Sequence, residues 1–458
     1  MANPVGQGQF KLLFTYLLTT LFAINVQCRV DESAQHPIGL ESPRHYPSLP
    51  VLGYVTPWNS RGKGLVEEHR QKFDIISPVW YTIHANEAPG QELYTVRGGP
   101  PSEEDKEWYK RLQQPQDDNE DSSSKPLQIT PRFFLDGWRP EDYKGLVLNG
   151  TRWQILTDVI MDVVKDMSFD GIVFESGGSY ALAPPLTAIS HALHDEGKIL
   201  VLVMPPVRQS EDERTSVHNS MILKPLAGLS HYVDYFSIMT YDMTGPGGRQ
   251  LLDAAGLPED CSVRKAIAQG QVREPGPNTS ADWVRDNLVA FVEASQVSNM
   301  DQLQFPSALR EASVWDSRKF LLGVPQYGYK YPVMFIDRKT GNVAQQPLKK
   351  TAAAAVAAAP LPVLAGAGEP VTTVEILDIL KEVGAQVSQT EEGEYFFDYL
   401  NAADQGHWRV FLPTSESMSR VLDAIQDVVD DELMYSFGGA GVALWDVGQS
   451  SHDLLASL

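Results

Sequence analysis

The stretch Phe169-Asp170-Gly171-Ile172-Val173-Phe174-Glu175-Ser176-Gly177-Gly178-Ser179-Tyr180 sets the reading of the whole chain. Its apolar centre, Ile172-Val173-Phe174, is too short for a helix and is bounded by glycines, which marks a buried strand. Upstream, between Arg152 and Asp166, apolar residues recur at helical spacing at Ile155, Val159 and Val163, with Ile160 and Val164 widening the stripe. Downstream a helical pattern near Leu186 to His194 leads into the apolar run Ile199 to Met204. The local order is helix, strand, helix, strand.

The same alternation extends both ways. Apolar strands are expected at Val51 to Val55, Phe73 to Trp80, Gln128 to Phe134, Gly171 to Glu175, Ile199 to Met204, Tyr235 to Tyr241, Phe320 to Pro325 and Gly441 to Trp445. Most are separated by helical segments, the last near Ser415 to Val429. Strands that alternate with helices form a parallel sheet, and this number predicts an α/β fold of the closed (β/α)8 TIM-barrel type. An open doubly wound sheet is the alternative. No Gly-rich fingerprint follows the first strand, and Gly438-Gly439-Ala440-Gly441 precedes a strand instead of opening a helix, so neither place cradles a phosphate.

Three stretches exceed ordinary loop length and, with a small inserted α+β element, interrupt the barrel: about 86–125, 245–277 and 343–370. The first holds a helical piece around Trp108 and a disordered-looking acidic tail ending in Ser122-Ser123-Ser124. The second is rich in Gly and Pro and contains Cys261. The third includes the alanine run Ala352 to Ala359, which reads as a mobile insertion. All three follow strands, so in a barrel they emerge at the face that carries binding sites.

The chain has 458 residues and a formal net charge of -22, a surface that repels nucleic-acid backbones and anionic lipid. Lys11 followed by the apolar run Leu12 to Ile24 reads as a secretory signal, with cleavage expected after Cys28. The run is short for a membrane span. The domain reading is a signal peptide at 1–28, a tether at 29–48 and a barrel from 49 to 458. Secretion, or delivery to an endomembrane or lysosomal lumen, is the expected localisation. Cleavage leaves Cys261 as the one cysteine, so no disulfide framework is expected. Asn149-Gly150-Thr151 and Asn278-Thr279-Ser280 are glycosylation acceptors. With no His-Glu-x-x-His and no paired cysteine spacing, neither metal nor cofactor is expected.

Several strands carry further motifs. Phe169-Asp-Gly-Ile-Val-Phe-Glu175, Ile238-Met-Thr-Tyr-Asp242, Leu321-Leu-Gly-Val-Pro-Gln-Tyr-Gly328 and Gly441-Val-Ala-Leu-Trp-Asp-Val-Gly-Gln449 together resemble glycoside hydrolase family 18, the chitinase family. The resemblance runs from about Val51 to Leu458, apart from the long insertions. The family's fourth strand reads Asp-Gly-x-Asp-x-Asp-x-Glu, the last Glu being the general acid. Laid on this chain, Asp170-Gly171 matches, the middle aspartates fall on Val173 and Glu175, and the acid falls on Gly177. Strand alternation puts Gly171, Val173, Glu175 and Gly177 on one face, the barrel interior. Glu175 therefore points inward, but roughly 6.6 Å deeper than the acid position at ~3.3 Å per residue.

The resemblance implies the family's tyrosine-aspartate pair at Tyr241 and Asp242 and its tryptophan beneath the central sugar at Trp445. Aromatic residues at or near strand ends, Tyr54, Trp58, Trp138 and Tyr327, join Met204 and Glu175 as expected carbohydrate contacts. Cleaving a glycosidic bond needs a proton on the leaving oxygen. Loss of the donor removes a factor of about 10² to 10⁴. The expectation is a chitinase-like protein that binds chitin or N-acetylglucosamine oligosaccharides with little or no hydrolysis. An active hydrolase with its acid relocated to Glu175, Asp136 or Asp242, or a barrel that serves as scaffold for a protein partner, are the alternatives.

Overall fold

The computed structural model describes residues 44, 46–86, 90, 92–118, 122–209, 212–295, 317–344, 359–403, 405–430 and 435–458. The expected signal segment, most of the expected tether and nearly all of the alanine run lie outside these residues.

Eight barrel strands follow in chain order: β1 (Val51–Val55), β2 (Ile75–Pro78, continued by Tyr81–Ala85), β3 (Gln128–Ile129, continued by Arg132–Leu135), β4 (Gly171–Glu175), β5 (Ile199–Met204), β6 (Tyr235–Ile238), β7 (Phe320–Pro325) and β8 (Gly441–Trp445). Each pairs in parallel with the next. β8 then pairs in parallel with β1, from Val51 against Val442 to Gly53 against Leu444, and the ring closes. The sheet is a barrel, not the open alternative.

Pleat alternation sorts every strand residue to one of two layers. Leu52, Tyr54, Val173, Val201, Val203, Leu321 and Ala443 pack together inside the ring. Their neighbours Val55, Ile172, Phe174, Leu200, Leu202, Met204, Leu322, Val442 and Leu444 pack outward against the helices. One of those helices is Gly150–Asp166, which buries Leu156, Ile160, Met161 and Val164 and is capped by the Asn149 side chain accepting from Thr151 and Arg152. Burying each large apolar side chain stabilises the fold by about 1.5–3 kcal/mol.

A repeated device fixes where the strands begin. Asp74, just before β2, accepts from the Val51 amide of β1 at 3.0 Å. Asp170, before β4, accepts from Ile129 of β3 at 2.8 Å, and Asp234, before β6, accepts from Leu200 of β5 at 2.8 Å. Each carboxylate satisfies a strand-end donor that the ladder leaves open. Asp170, the opening residue of the strand-four motif, thus holds the entry end of the barrel.

The inserted α+β element is larger than expected and begins earlier. Its main antiparallel sheet runs in the order Leu361–Leu364, Tyr327–Ile336, His407–Leu412, Tyr395–Leu400, Ser388–Gln389, and Glu369–Thr372 also pairs with Tyr327–Ile336. Helix Thr373–Val383 joins it, held by a capping box between Thr372 and Glu375. The expected insertion at 343–370 is therefore only part of it, and its described residues 361–364 and 369–372 are strand. Within 86–125, Tyr94–Gly98 pairs antiparallel with Tyr81–Ala85, and Glu103–Leu112 is the expected helix. The acidic tail is a short strand pair, Gln116–Asp118 with Ser122–Ser124, where the composition suggests disorder. The stretch 245–277 contains the pair Arg249–Gln250 with Arg273–Glu274 and helix Ser262–Ala268.

Glu394 of this element is 6% exposed, and burial pushes its carboxyl up to about 8. Arg420 offsets part of this, although its guanidinium is engaged by the Gly393 carbonyl and Glu416. Between an ordinary carboxylate pKa and about 8, the unfolded chain releases a proton that the folded chain keeps. Stability should therefore fall as pH rises through that window. Unfolding free energies from urea titrations at about pH 5 and about pH 9 should differ by a few kcal/mol in the wild type, and Glu394→Gln should remove most of the difference.

Candidate functional site

The C-terminal ends of the strands gather the residues that the sequence singles out. Trp445, the last residue of β8, packs edge-on against Tyr54 of β1 with ring centroids 5.2 Å apart. Tyr241, just past β6, lies parallel to the same indole at 6.3 Å and 16°. The Tyr54 hydroxyl donates to Ser237 Oγ at 2.9 Å, and desolvation holds both the Tyr54 and Tyr241 phenols well above the ordinary tyrosine range. The alternation explains the grouping, because Tyr54, Ser237 and Trp445 all point inward, from β1, β6 and β8.

Glu175 ends β4 on the same inward face. Its side chain is 22% exposed and lies 3.3 Å from the Arg132 guanidinium, without the alignment of a hydrogen bond. Burial pushes the Glu175 carboxyl up, while the Arg132 charge pulls the other way. Arg132 also lies over the Phe134 ring at 4.9 Å. An inward arginine in β3 is a site residue that the sequence reading missed. Its signal was present, since Arg132 shares strand parity with the inward Phe134.

Asp242 is the most firmly held group. It adopts a left-handed backbone conformation (φ 55°) at the turn after Tyr241. Its Oδ1 accepts from the hydroxyls of Tyr327 at 2.5 Å and Tyr329 at 2.8 Å. Its amide donates to Asn278 Oδ1 at 2.7 Å, and its carbonyl accepts from the Arg208 guanidinium. Desolvation and the Asp242 charge keep both phenols protonated, so they remain donors to the carboxylate. Tyr329 was not among the expected residues.

At Gly177 the strand has ended and a turn begins. Ser179 accepts from the Ser176 amide at 3.1 Å. Tyr143 lies beside this turn; burial pushes its phenol up, while the Gly177 backbone and the Ser176 side chain pull it down. A Cβ built at Gly177 would meet nothing closer than the Tyr143 hydroxyl at 3.8 Å. Space for a side chain exists there. The side chain does not.

Other expected contacts fall elsewhere. Met204 is fully buried and faces the helices with Leu200 and Leu202, because the inward residues of β5 are Val201 and Val203. Its assignment as a carbohydrate contact is corrected. The Trp138 indole donates to the Ile83 carbonyl at 2.8 Å and stacks on Tyr94 at 5.2 Å, so it braces the Tyr94–Gly98 strand. Trp58 stands 69% exposed beyond the end of β1, at the rim. Asp136 is half-exposed, 3.7 Å from His84.

Asn278 is also corrected as a glycosylation acceptor. It is 6% exposed, and its amide donates to the Tyr327 carbonyl at 3.0 Å while accepting from Asp242. A glycan would have to replace that bond in a closed space. Asn149 is exposed and caps its helix through Oδ1, leaving Nδ2 available. Cys261 is half-buried, its sulfur capping helix Ser262–Ala268, and it is free.

No known family model matches the sequence. Solved structures do match the fold. A chitinase from Chromobacterium violaceum ATCC 12472 superposes with a TM-score of 0.56 at 18% identity, over 90% of this chain and 98% of the other. A class V chitinase from Pseudomonas fluorescens Pf-5 gives 0.54 at 15% identity, over 90% and 98%. A glycoside hydrolase family 18 chitinase from Cycas revoluta, a double mutant in complex with (GlcNAc)4, gives 0.52 at 14% identity, over 89% and 98%. The fold is the one these chitinases share.

Two outcomes follow from the Asn278 geometry. Asn278→Ala leaves the Asp242 amide and the Tyr327 carbonyl without partners and should cost about 2–4 kcal/mol in denaturant unfolding. In protein produced through the secretory route, peptide mapping by mass spectrometry should find a glycan at Asn149 and none at Asn278.

Proposed function

We propose that the chain is a chitinase-like member of glycoside hydrolase family 18 that binds N-acetylglucosamine-type oligosaccharides and hydrolyses them weakly or not at all. We read its motifs as similar to those of the branch of chitinase domain-containing protein 1. The observation that carries the reading is the mouth of the barrel. Trp445 with Tyr241 offers aromatic surface for sugar C–H faces, the buried Tyr54 ring supports Trp445 from beneath, and Asp242 presents a carboxylate in a fixed place. The position that matches the family's proton donor is Gly177. The Cycas revoluta chitinase of the same fold holds (GlcNAc)4, which supports the ligand class. Among the described residues no helix is long and apolar enough to cross a membrane. From the expected N-terminal signal we infer entry into the secretory pathway, with the protein either secreted or held in an endomembrane or lysosomal lumen.

In this reading the substrate's acetamido group meets Tyr241 and Asp242 while Trp445 supports the ring. Positioning survives, but no group is placed to protonate the leaving oxygen. Glu175 carries the second reading, an active hydrolase. Its carboxyl is pushed up by burial, as a general acid requires, but it sits deeper than the acid position and beside Arg132.

Calorimetric titration with N-acetylglucosamine oligomers should show binding to the wild type. Trp445→Ala should weaken it by about 10- to 100-fold, the value of one large buried apolar contact. Absence of binding to any such oligomer would overturn the proposal and favour a scaffold role. Gly177→Glu should fold normally, since its Cβ has room, and alone should give little turnover because Val173 and the Arg132-paired Glu175 stand where the two aspartates that tune the acid belong.

A further inference from the structure

Away from the strand C-termini, the helix after β1 (Arg61–Glu68) returns the chain toward the start of β2. At its end Glu68 and His69 meet His452, the first residue of the C-terminal helix His452–Ala456. His69 Nε2 and His452 Nδ1 are 3.1 Å apart, and His452 Nδ1 lies 3.4 Å from Glu68 Oε2. One ligand atom from each of the three residues falls within 4.8 Å of the others. We propose that Glu68, His69 and His452 form a binding site for a borderline divalent cation of the zinc class.

The geometry is that of a tetrahedral edge. With Zn–N and Zn–O bonds of about 2.0–2.2 Å, ligand atoms around one tetrahedral ion are separated by roughly 3.3–3.5 Å. Of the two spacings along this cluster, 3.4 Å lies at that separation and 3.1 Å falls just short of it, so binding needs only a small outward movement of the exposed His452. Two imidazole nitrogens and one carboxylate oxygen select zinc-like ions over calcium and magnesium, which prefer oxygen ligands. The fourth position remains for water. His69 is 7% exposed and so is fixed in place, whereas the side chains of His452 and Glu68 are 60% and 52% exposed and open to an ion from solvent.

The site joins the first helix of the barrel to the last. The same two parts of the chain already meet where Lys72 Nζ donates to the Ala456 carbonyl at 3.1 Å. A bound ion would tie the C-terminal helix to the ring it completes, at the end of the barrel where features serve stability more than chemistry. Residues 69 and 452 are 383 positions apart, so no spacing motif could announce the cluster.

Full-length, untagged protein titrated with Zn2+ should bind one ion per chain by calorimetry, and saturating Zn2+ should raise the melting temperature by at least about 2 °C. Co2+ used as probe should give the visible absorption of a tetrahedral site. His452→Ala, a change at an exposed residue, should abolish the thermal shift and the Co2+ spectrum. Glu68→Gln should weaken binding at least tenfold, and Cys261→Ser should leave both signals intact. No Zn2+-dependent shift in the wild type, or a shift and spectrum unchanged in His452→Ala, would overturn the assignment.

Discussion

The closed ring of parallel strands is the constraint on which the remaining structure depends. Once β8 pairs with β1, each strand has only two faces, an interior and a helix-covered exterior, and one residue of slip would exchange them. That parity puts Tyr54, Glu175, Ser237 and Trp445 in one space although they come from four strands far apart in sequence. It also sends Met204 outward, since Val201 and Val203 occupy the interior positions of β5. The aspartates before β2, β4 and β6 secure the register from the opposite end by holding an amide at the first or second residue of the preceding strand.

The second organising feature is Asp242. Its carboxylate accepts two hydroxyls from the long strand Tyr327–Ile336, its amide reaches Asn278, and its carbonyl reaches Arg208. The inserted sheet is thereby tied directly to the turn that follows β6. A carboxylate with this many fixed donors is costly to move, which suits a group that must meet a ligand in one orientation. The adjacent stack of Tyr241 on Trp445 supplies the apolar half of the same surface.

Most of the barrel was legible because buried parallel strands are short apolar runs between helical patterns. The inserted sheet was not, for a specific reason. Tyr327, Tyr329, Tyr331, Val333 and Phe335 do alternate, and they share one packed face, but the run follows β7 with only Gln326 between. Nothing in composition separates the end of one strand from the start of the next. The grouping of residues at the barrel mouth was legible from strand parity and the family resemblance, as at Tyr54, Glu175, Tyr241, Asp242 and Trp445. Tertiary pairing defeated the rest. Asn278 lies in an acceptor triplet, yet its amide is consumed inside the fold, and Trp138 looks like a ligand platform but braces Tyr94.

Whether Gly177 leaves this barrel without chemistry is tested most directly by following products. Purified full-length protein is incubated with N-acetylglucosamine oligomers, and chain-shortened products are counted by mass spectrometry beside the Glu175→Gln variant. The account predicts turnover at least about 10²-fold below that of a chitinase with its acid in place, and no further loss in Glu175→Gln. Ordinary chitinase rates that vanish in Glu175→Gln would contradict it and make Glu175 the acid.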